Sequence, residues 1–143
     1  MSNFANILEL IPQRPPLVLV DALIYSDADK STSQFTVPAQ HLLVSNGALR
    51  EPGILENVAQ TAAARAGHEL SKSNEPPKTG FIGDISNIEI MRLPAVGTTI
   101  KTTVTQLQQV FNITMVRGVV EDENGIIAQC EMKIVLLEPS TLQ

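Results

Sequence analysis

The sequence predicts an α+β domain in which an antiparallel sheet wraps around one long helix. Residues 52 to about 69 repeat apolar side chains at spacings of three and four, which is typical of a helix with one buried face. Residues 80–137 instead show strand-length segments separated by short turns, without a helical pattern. A strand pair precedes the helix. One helix among these strands predicts a single layer of sheet packed on a single helix.

The size of the chain predicts one domain over residues 1–143, because no long Pro, Gly or Ser stretch divides it. Apolar residues make up 43% of the chain, which is enough for a packed core, but there is no Trp and only four Phe. The core should therefore be aliphatic. The net charge is −5, and the 10 Lys and Arg residues are scattered, which argues against a nucleic-acid partner.

Several classes of site are not expected from this sequence. No apolar run is long enough for a membrane span, and the first residues do not resemble a signal peptide, so we expect no membrane insertion and a cytoplasmic location. Cys130 has no second cysteine to pair with. His41 and His68 are the only histidines, too few for the usual ligand clusters, so we predict no metal.

The central helix should begin at Glu51-Pro52, since proline is favoured at the first helical position. Its end is predicted at Gly67 or in the following segment, SKSNEPPKT. Much of its apolar stripe is alanine, and small side chains predict that a sheet lies close to the helix. The stripe consists of Leu55, Val58, Ala59, Ala62, Ala63 and Ala66.

The strands are predicted from alternation and turn residues. Before the central helix, the elements are a short helix over residues 3–10, a strand over 17–24, a turn over 27–30 and a strand over 33–37. Residues 38–50 form a loop with a tight turn at Asn46-Gly47. After the helix, strands are predicted over 80–91, 98–108, 111–121 and 126–137. One face of the last strand should carry Ile126, Ala128, Cys130, Met132, Ile134 and Leu136.

Three segments, in this order along the chain, resemble the 3-hydroxyacyl-(acyl-carrier-protein) dehydratases of the hotdog superfamily. IPQRPPLVLVD (residues 11–21) resembles the family's Pro-His-Arg-x-Pro opening. PGILENVAQTAA (52–63) resembles its Pro-Gly helix start with a Glu and, four residues later, a Gln. GFIGDISNIEIMRLPAVGTTI (80–100) resembles its Phe-x-Gly strand and the Pro-x-x-Gly turn that follows. The resemblance covers nearly the whole chain and implies a hotdog fold.

The resemblance also implies an activity. It implies dehydration of a 3-hydroxyacyl thioester, carried by acyl carrier protein or coenzyme A, in fatty-acid or polyene-type lipid synthesis. It implies a homodimer, or a heterodimer with a related hotdog subunit, whose two sheets join and whose active sites lie at the interface. In that family a His in a Gly-His-Phe-Pro motif removes the C2 proton, and a helix Glu or Asp of the other subunit helps the hydroxyl leave. No cofactor is implied.

The candidate catalytic residues are Glu56 and His41. Glu56 is next to the apolar stripe, where a carboxyl group at an interface is partly desolvated and suited to proton transfer. The Gly-His-Phe-Pro motif is absent, and the loop before the helix reads HLLVSNGALREPG over residues 41–53. His41 precedes Glu56 by 15 positions, close to the family's spacing. The C2 proton is therefore assigned either to His41 or to a residue of a partner chain.

Five further residues are candidates for substrate binding, each with a structural alternative. Gln60 is one turn beyond Glu56 and could orient its carboxyl group or bind the acyl group. Pro52 and Gly53 could present free amides to the thioester oxygen, or simply begin the helix. Phe81 and Gly83 could line the acyl channel, although a strand glycine often marks a bulge. The basic residues considered for an acidic carrier protein are Arg14, Arg50, Arg65, Lys78 and Arg92.

The sequence leaves two other functions open. A hotdog thioesterase uses a helix carboxylate to activate water and needs no histidine, which fits the missing motif. A non-catalytic subunit that completes the site of an active dehydratase fits it as well. His68 is predicted to complement the dipole at the helix C-terminus.

Overall fold

The computed structural model describes residues 4–73 and 79–137. The elements, in chain order, are α1 (Ile7–Leu10), β1 (Ala22–Ser26), β2 (Lys30–Thr36), β3 (Val44–Ser45), β4 (Ala48–Leu49), α2 (Glu51–Lys72), β5 (Thr79–Ile90), β6 (Thr99–Val110), β7 (Ile113–Asp122) and β8 (Gly125–Leu137). The predicted order, with α2 as the one long helix, is confirmed. Residue 3, which the sequence placed in α1, lies outside the described ranges.

Six strands form one antiparallel sheet in the order β1-β2-β6-β7-β8-β5. β3 and β4 form a separate small hairpin, whose turn has positive φ angles of 53° at Asn46 and 78° at Gly47. The predicted Asn-Gly turn is therefore confirmed. α2 packs on one face of the large sheet, mainly over β2 and β6, which leaves the β8-β5 side less covered. The predicted α+β class is confirmed.

α2 continues past Gly67 and ends at Lys72, where the amide of Ser73 donates to the carbonyl oxygen of Leu70 at 3.0 Å. The prediction that the helix ends at Gly67 was wrong. The alternative prediction is correct, because the helix ends within the segment that begins at residue 71. Gly67 instead meets α1. A Cβ atom at this position would overlap the carbonyl oxygen of Leu10, so glycine is what permits the close approach of the two helices.

The strand predicted over residues 17–24 begins later, at Ala22. Before it, the backbone of Leu17 and Leu19 is bonded to side chains of α2 instead of to another strand. The amide of Leu19 donates to Oε1 of Gln60 at 2.7 Å, and its carbonyl oxygen accepts from Nδ2 of Asn57 at 2.7 Å. The side-chain amides of Gln60 and Asn57 thus take the place of a neighbouring strand as hydrogen-bond partners. The apolar pattern of the segment does not reveal which kind of partner its backbone has.

The predicted inner face of β8 is correct for Ala128, Cys130, Met132 and Ile134, which are buried. It is wrong for Ile126, which is 48% exposed. The register of β7 and β8 shifts between Val120 and Glu121, so Ile127 is the extra residue of a bulge and turns inward in place of Ile126. Leu136 is half-buried.

The core between α2 and the sheet is aliphatic, as predicted, and Phe35 is the one aromatic side chain among its described buried members. A row of buried polar side chains also joins α2 to the sheet. Five polar side chains are fully buried here: Asn57, Gln60, Thr61, Ser33 and Thr102. The hydroxyl of Thr102 donates to Oδ1 of Asn57 at 2.5 Å, and those of Ser33 and Thr61 are 2.7 Å apart. Because each group has a partner, this buried row is tolerated.

Three observations on the described part of the chain concern membrane spans, metal sites and the reactivity of its cysteine. Its helices include none with the length and apolarity needed to cross a membrane. Its His, Cys, Asp and Glu side chains form no group of three placed to hold a metal. Burial raises the pKa of the Cys130 thiol to about 11, so this thiol is protonated and a poor nucleophile.

Candidate active site

A cavity of about 620 Å³ lies between α2 and the sheet, on the side of β7, β8 and the beginning of β5. Its sheet wall is mostly apolar and includes Val116, Ile134 and Leu136. Its volume is in the range of small-molecule sites. The helix wall is formed by Glu56, Ala59, Ala62, Ala63, Arg65, Ala66, Glu69 and Leu70.

Four of the alanines predicted to bring the sheet close to the helix also line this cavity: Ala59, Ala62, Ala63 and Ala66. The expectation of close packing is confirmed for Ala62, which is buried in the core between α2 and the sheet, and for Ala59, which packs against that core. The polar contacts between α2 and the sheet lie on the Asn57 and Thr61 face. On the cavity side, these small side chains leave space beside the helix.

Glu56 is half-buried and lines the cavity. Nε2 of Gln60 donates to its Oε1 at 3.3 Å, from one turn further along the helix. Gln60 is fully buried, and the same Nε2 also donates to the carbonyl oxygen of Leu17 at 2.9 Å. Gln60 is thus held on both amide atoms by the backbone before β1, and it is not among the cavity-lining residues. This geometry favours orientation of Glu56 over direct contact with an acyl group.

His41 is bound on both ring nitrogens. Its Nδ1 accepts from the amide of Leu43 at 3.0 Å, so Nε2 carries the proton and donates to the carbonyl oxygen of Val18 at 3.2 Å. His41 is not among the residues that line the cavity. Its bonds hold the loop before α2 against the segment before β1, so both ring nitrogens are engaged by backbone groups.

His68 packs edge-on against the ring of Phe4, with 4.9 Å between the ring centroids. Burial, followed by the charge of Lys72, lowers the pKa of His68. Because the lowered pKa favours a neutral ring, and because α2 extends beyond this residue, His68 does not serve as the predicted C-terminal charge.

Pro52 and Gly53 form the first turn of α2. Pro52 has no amide hydrogen, and the amide of Gly53 donates to the carbonyl oxygen of Arg50 at 2.8 Å. A Cβ atom at Gly53 would overlap the side chain of Leu49, which accounts for the glycine. This geometry favours helix initiation for the pair, and their part in binding the thioester oxygen stays a prediction.

Phe81 lines the cavity from β5 and is 49% exposed. Gly83 is not among the cavity-lining residues. The register of β5 and β8 shifts between Ile82 and Asp84, so Gly83 occupies the bulge that was its structural alternative.

Arg65 is a cavity-lining residue that the sequence did not identify as such, because it was grouped with surface charges. Its position in the helix, next to the alanines, could have indicated that it lines the cavity. Of the other basic residues, Arg14 donates to the carbonyl oxygens of Ile11 and Gln13, and Lys78 lies outside the described residues. Arg50 and Arg92 pair with Glu51 and Asp122. A contact between any of them and a carrier protein stays a prediction.

The site therefore combines a mostly apolar cavity with two carboxyl groups on its helix wall, Glu56, which is bonded to Gln60, and Glu69, which is paired with Lys72. A carboxyl group beside a mostly apolar cavity can exchange a proton with a bound substrate. No histidine is present among the cavity-lining residues of the described chain.

Several solved structures share this arrangement of a helix and a sheet. The chain is similar to the dehydratase heterocomplex ApeI:P from Xenorhabdus doucetiae, with a TM-score of 0.90 and 15% identity over 98% of this chain and 96% of that one. An uncharacterized protein of Pyrococcus horikoshii has a TM-score of 0.68 and 13% identity, over 98% of this chain and all (100%) of that one. The PaaI protein of E. coli, from the phenylacetic acid degradation operon, has a TM-score of 0.61 and 13% identity, over 79% and 80% of the two chains.

No curated protein matches the sequence significantly. The family described as ApeP-like, ApeP dehydratase, matches residues 5–143, which is nearly the whole chain. The central helix inside an antiparallel sheet is the hotdog fold that the resemblance implied. The chain therefore belongs to the ApeP-like dehydratase family and has a hotdog fold.

Proposed function

We propose that this chain is one subunit of a two-subunit hotdog dehydratase acting on 3-hydroxyacyl thioesters. In this proposal Glu56, as the carboxylic acid, gives a proton to the C3 hydroxyl, and the C3–O bond breaks to release water. A base of the partner subunit takes the C2 proton, and the electron pair of the C2–H bond forms the C2–C3 double bond. The products are an enoyl thioester and water.

The observation that carries the proposal is the position of Glu56 beside the alanine-lined cavity. Its carboxyl group borders an apolar space large enough for an acyl chain, and Gln60 fixes its direction. A positioned acid of this kind contributes to catalysis by protonating a leaving group. Membership of a dehydratase family supports the reaction class.

The assignment of the base to a partner rests on His41. Both of its ring nitrogens are bonded to backbone groups, and the described residues that line the cavity include no histidine. The likeness to one chain of a dehydratase heterocomplex supports a second, related hotdog subunit as the source of the base.

The edge strand β5 is the surface that we assign to the partner. In the described sheet β5 is paired with β8 alone and forms the edge over twelve residues. Phe81, Ile82 and Ile88 are 49%, 41% and 47% exposed along it. A long edge with exposed apolar side chains is a template for pairing with another strand. Pairing there would also place the partner beside the cavity wall formed by Gly80, Phe81 and Ile82.

The test is to express the chain alone and together with a hotdog subunit from the same source that carries a Gly-His-Phe-Pro motif. Formation of the enoyl thioester from 3-hydroxyacyl thioesters is measured for both samples, and free thiol is measured in parallel. We expect enoyl product from the complex and none from the chain alone. Enoyl formation by the isolated chain would show that it contains its own base, and thiol release without enoyl product would identify a thioesterase.

Replacing His41 by Ala in this chain tests whether its role is to hold the loop before α2 and not to act as the base. We expect the free energy of unfolding to fall by roughly 1–2 kcal/mol, because two hydrogen bonds to backbone groups are lost. Turnover by the complex should stay within about threefold of the wild type, since a positioned acid or base contributes far more than this. Thermal unfolding and the enoyl assay measure the two effects. A loss of turnover by ~100-fold or more, with the fold retained, would restore His41 as the base.

A further inference from the structure

The edge strand β5 carries two acidic side chains and no basic one. Asp84 and Glu89 are its charged residues, and both are exposed. Neither carboxyl group has a hydrogen bond or an ion pair with another described residue, and this includes Lys133, which is opposite Asp84 in β8. The edge therefore presents negative charge that the described part of the chain does not neutralise.

Both carboxyl groups lie on the face of the sheet that is turned away from α2. Asp84 is opposite Lys133 in β8, and Glu89 is opposite Gln129. Directly paired residues of an antiparallel sheet share a face, and the two positions in β8 alternate with the buried Met132. At ~3.4 Å per residue along β8, the two carboxyl positions are about 14 Å apart.

The apolar side chains of β5 do not distinguish one partner from another. Phe81, Ile82 and Ile88 are exposed, and either a second copy of this chain or a different hotdog subunit would cover them. The backbone hydrogen bonds of an added strand are also the same in both cases. A choice between the two partners therefore depends on the charged side chains.

Two copies of this chain would bring like charges together in every register that overlaps the two carboxyl positions. Pairing of identical edges about a twofold axis reverses one strand relative to the other. With carboxyl groups about 14 Å apart on each strand, at least one pair from the two copies comes within roughly 7 Å along the strands. Neighbouring strands are about 4.8 Å apart, so this separation is comparable with the screening length of ~8 Å at physiological salt. Repulsion between the carboxylates therefore opposes self-pairing.

We propose that the charges of Asp84 and Glu89 select the subunit that pairs with β5. They favour a hotdog subunit whose edge strand carries Lys or Arg on the same face over a second copy of this chain. The inference rests on the proposed function, because that function assigns β5 to the partner. The net charge of −5 acts in the same direction, since two copies repel each other during approach. Apolar contacts then provide the affinity, and charge provides the specificity.

The test compares the two pairings in the same variants. Dissociation constants are measured by analytical ultracentrifugation, at ~50 and ~500 mM NaCl, for self-association of the chain and for its complex with the subunit that carries the Gly-His-Phe-Pro motif. We expect the higher salt to weaken the complex ~tenfold and to strengthen self-association, because screening removes an attraction in one case and a repulsion in the other. At low salt, Asp84→Asn with Glu89→Gln should shift both constants in these same directions by about tenfold.

The matched control is Glu9→Gln with Asp29→Asn. Both residues are exposed, one in α1 and the other in the turn between β1 and β2, and the net charge changes by the same amount. This control should leave both dissociation constants within about twofold of the wild type, since the substituted charges are remote from β5.

Three results would overturn the inference. They are a complex whose affinity responds neither to salt nor to the Asp84 and Glu89 substitutions, self-association that these substitutions do not strengthen, and a wild-type homodimer at low salt as tight as the complex. If no complex forms with the second subunit, the proposed function fails, and the self-association measurements alone decide the role of the β5 charges. An active complex that is insensitive to salt and to the substitutions counts against this inference only.

Discussion

Replacing Glu56 by Gln is expected to lower the dehydration rate of the complex by at least ~100-fold, the usual contribution of a positioned general acid. The substitution keeps the shape of the side chain and an oxygen atom that can accept from Nε2 of Gln60. It removes the acidic proton that would pass to the leaving hydroxyl. The melting temperature should therefore hardly change, and the loss should appear in kcat of enoyl formation measured under substrate saturation.

The matched control is Glu51→Gln, on the first turn of the same helix. Glu51 is exposed and pairs with Arg50 at 3.6 Å, away from the cavity-lining residues. This variant should keep wild-type turnover. Retained enoyl formation in Glu56→Gln would rule out its role as the acid. Loss of thiol release in that variant, in a protein that forms no enoyl product, would instead assign the carboxylate to the activation of water.

Replacing Gly67 by Ala is expected to destabilise the protein by about 3 kcal/mol, which corresponds to a fall of roughly 10 °C in the melting temperature. The added Cβ atom would overlap the carbonyl oxygen of Leu10, a backbone atom that cannot rotate away. α1 would have to move off α2, and with it the segment containing Pro12 and Gln13, which lines the cavity. Thermal and denaturant unfolding measure the loss.

This prediction opposes local helix propensity, because Ala in place of Gly inside a helix normally stabilises it by about 1 kcal/mol. The control is Gly83→Ala in the bulge of β5. A Cβ atom there would lie 3.6 Å from Cγ2 of Val135, which is ordinary van der Waals contact, and the change should be close to neutral. Unchanged or increased stability of Gly67→Ala would show that α1 does not pack against α2 in solution as described.

The parts of the site that could be predicted from the sequence are those tied to the central helix. Glu56 and Gln60 are one turn apart, so their hydrogen bond follows from helix geometry once the helix is recognised. The roles of His41 and Arg65 could not be predicted in this way. The partners of His41 are Val18 and Leu43, and those of Arg65 are Ala28 and Gln106. Such partners depend on which distant segments the fold brings together.

By itself, the sequence determined the α+β class, the order of the elements and most of their bounds, because side-chain periodicity and turn residues act over a few neighbouring positions. Tertiary structure alone decided which face of α2 meets the sheet. From the pattern of small and polar residues alone, either face of the helix could pack on the sheet. The face with Asn57 and Thr61 does so, because its side chains pair with the hydroxyl groups of Thr102 and Ser33. With that face on the sheet, Ala59 and Ala62 pack at the core and, with Ala63 and Ala66, line the cavity beside Glu56.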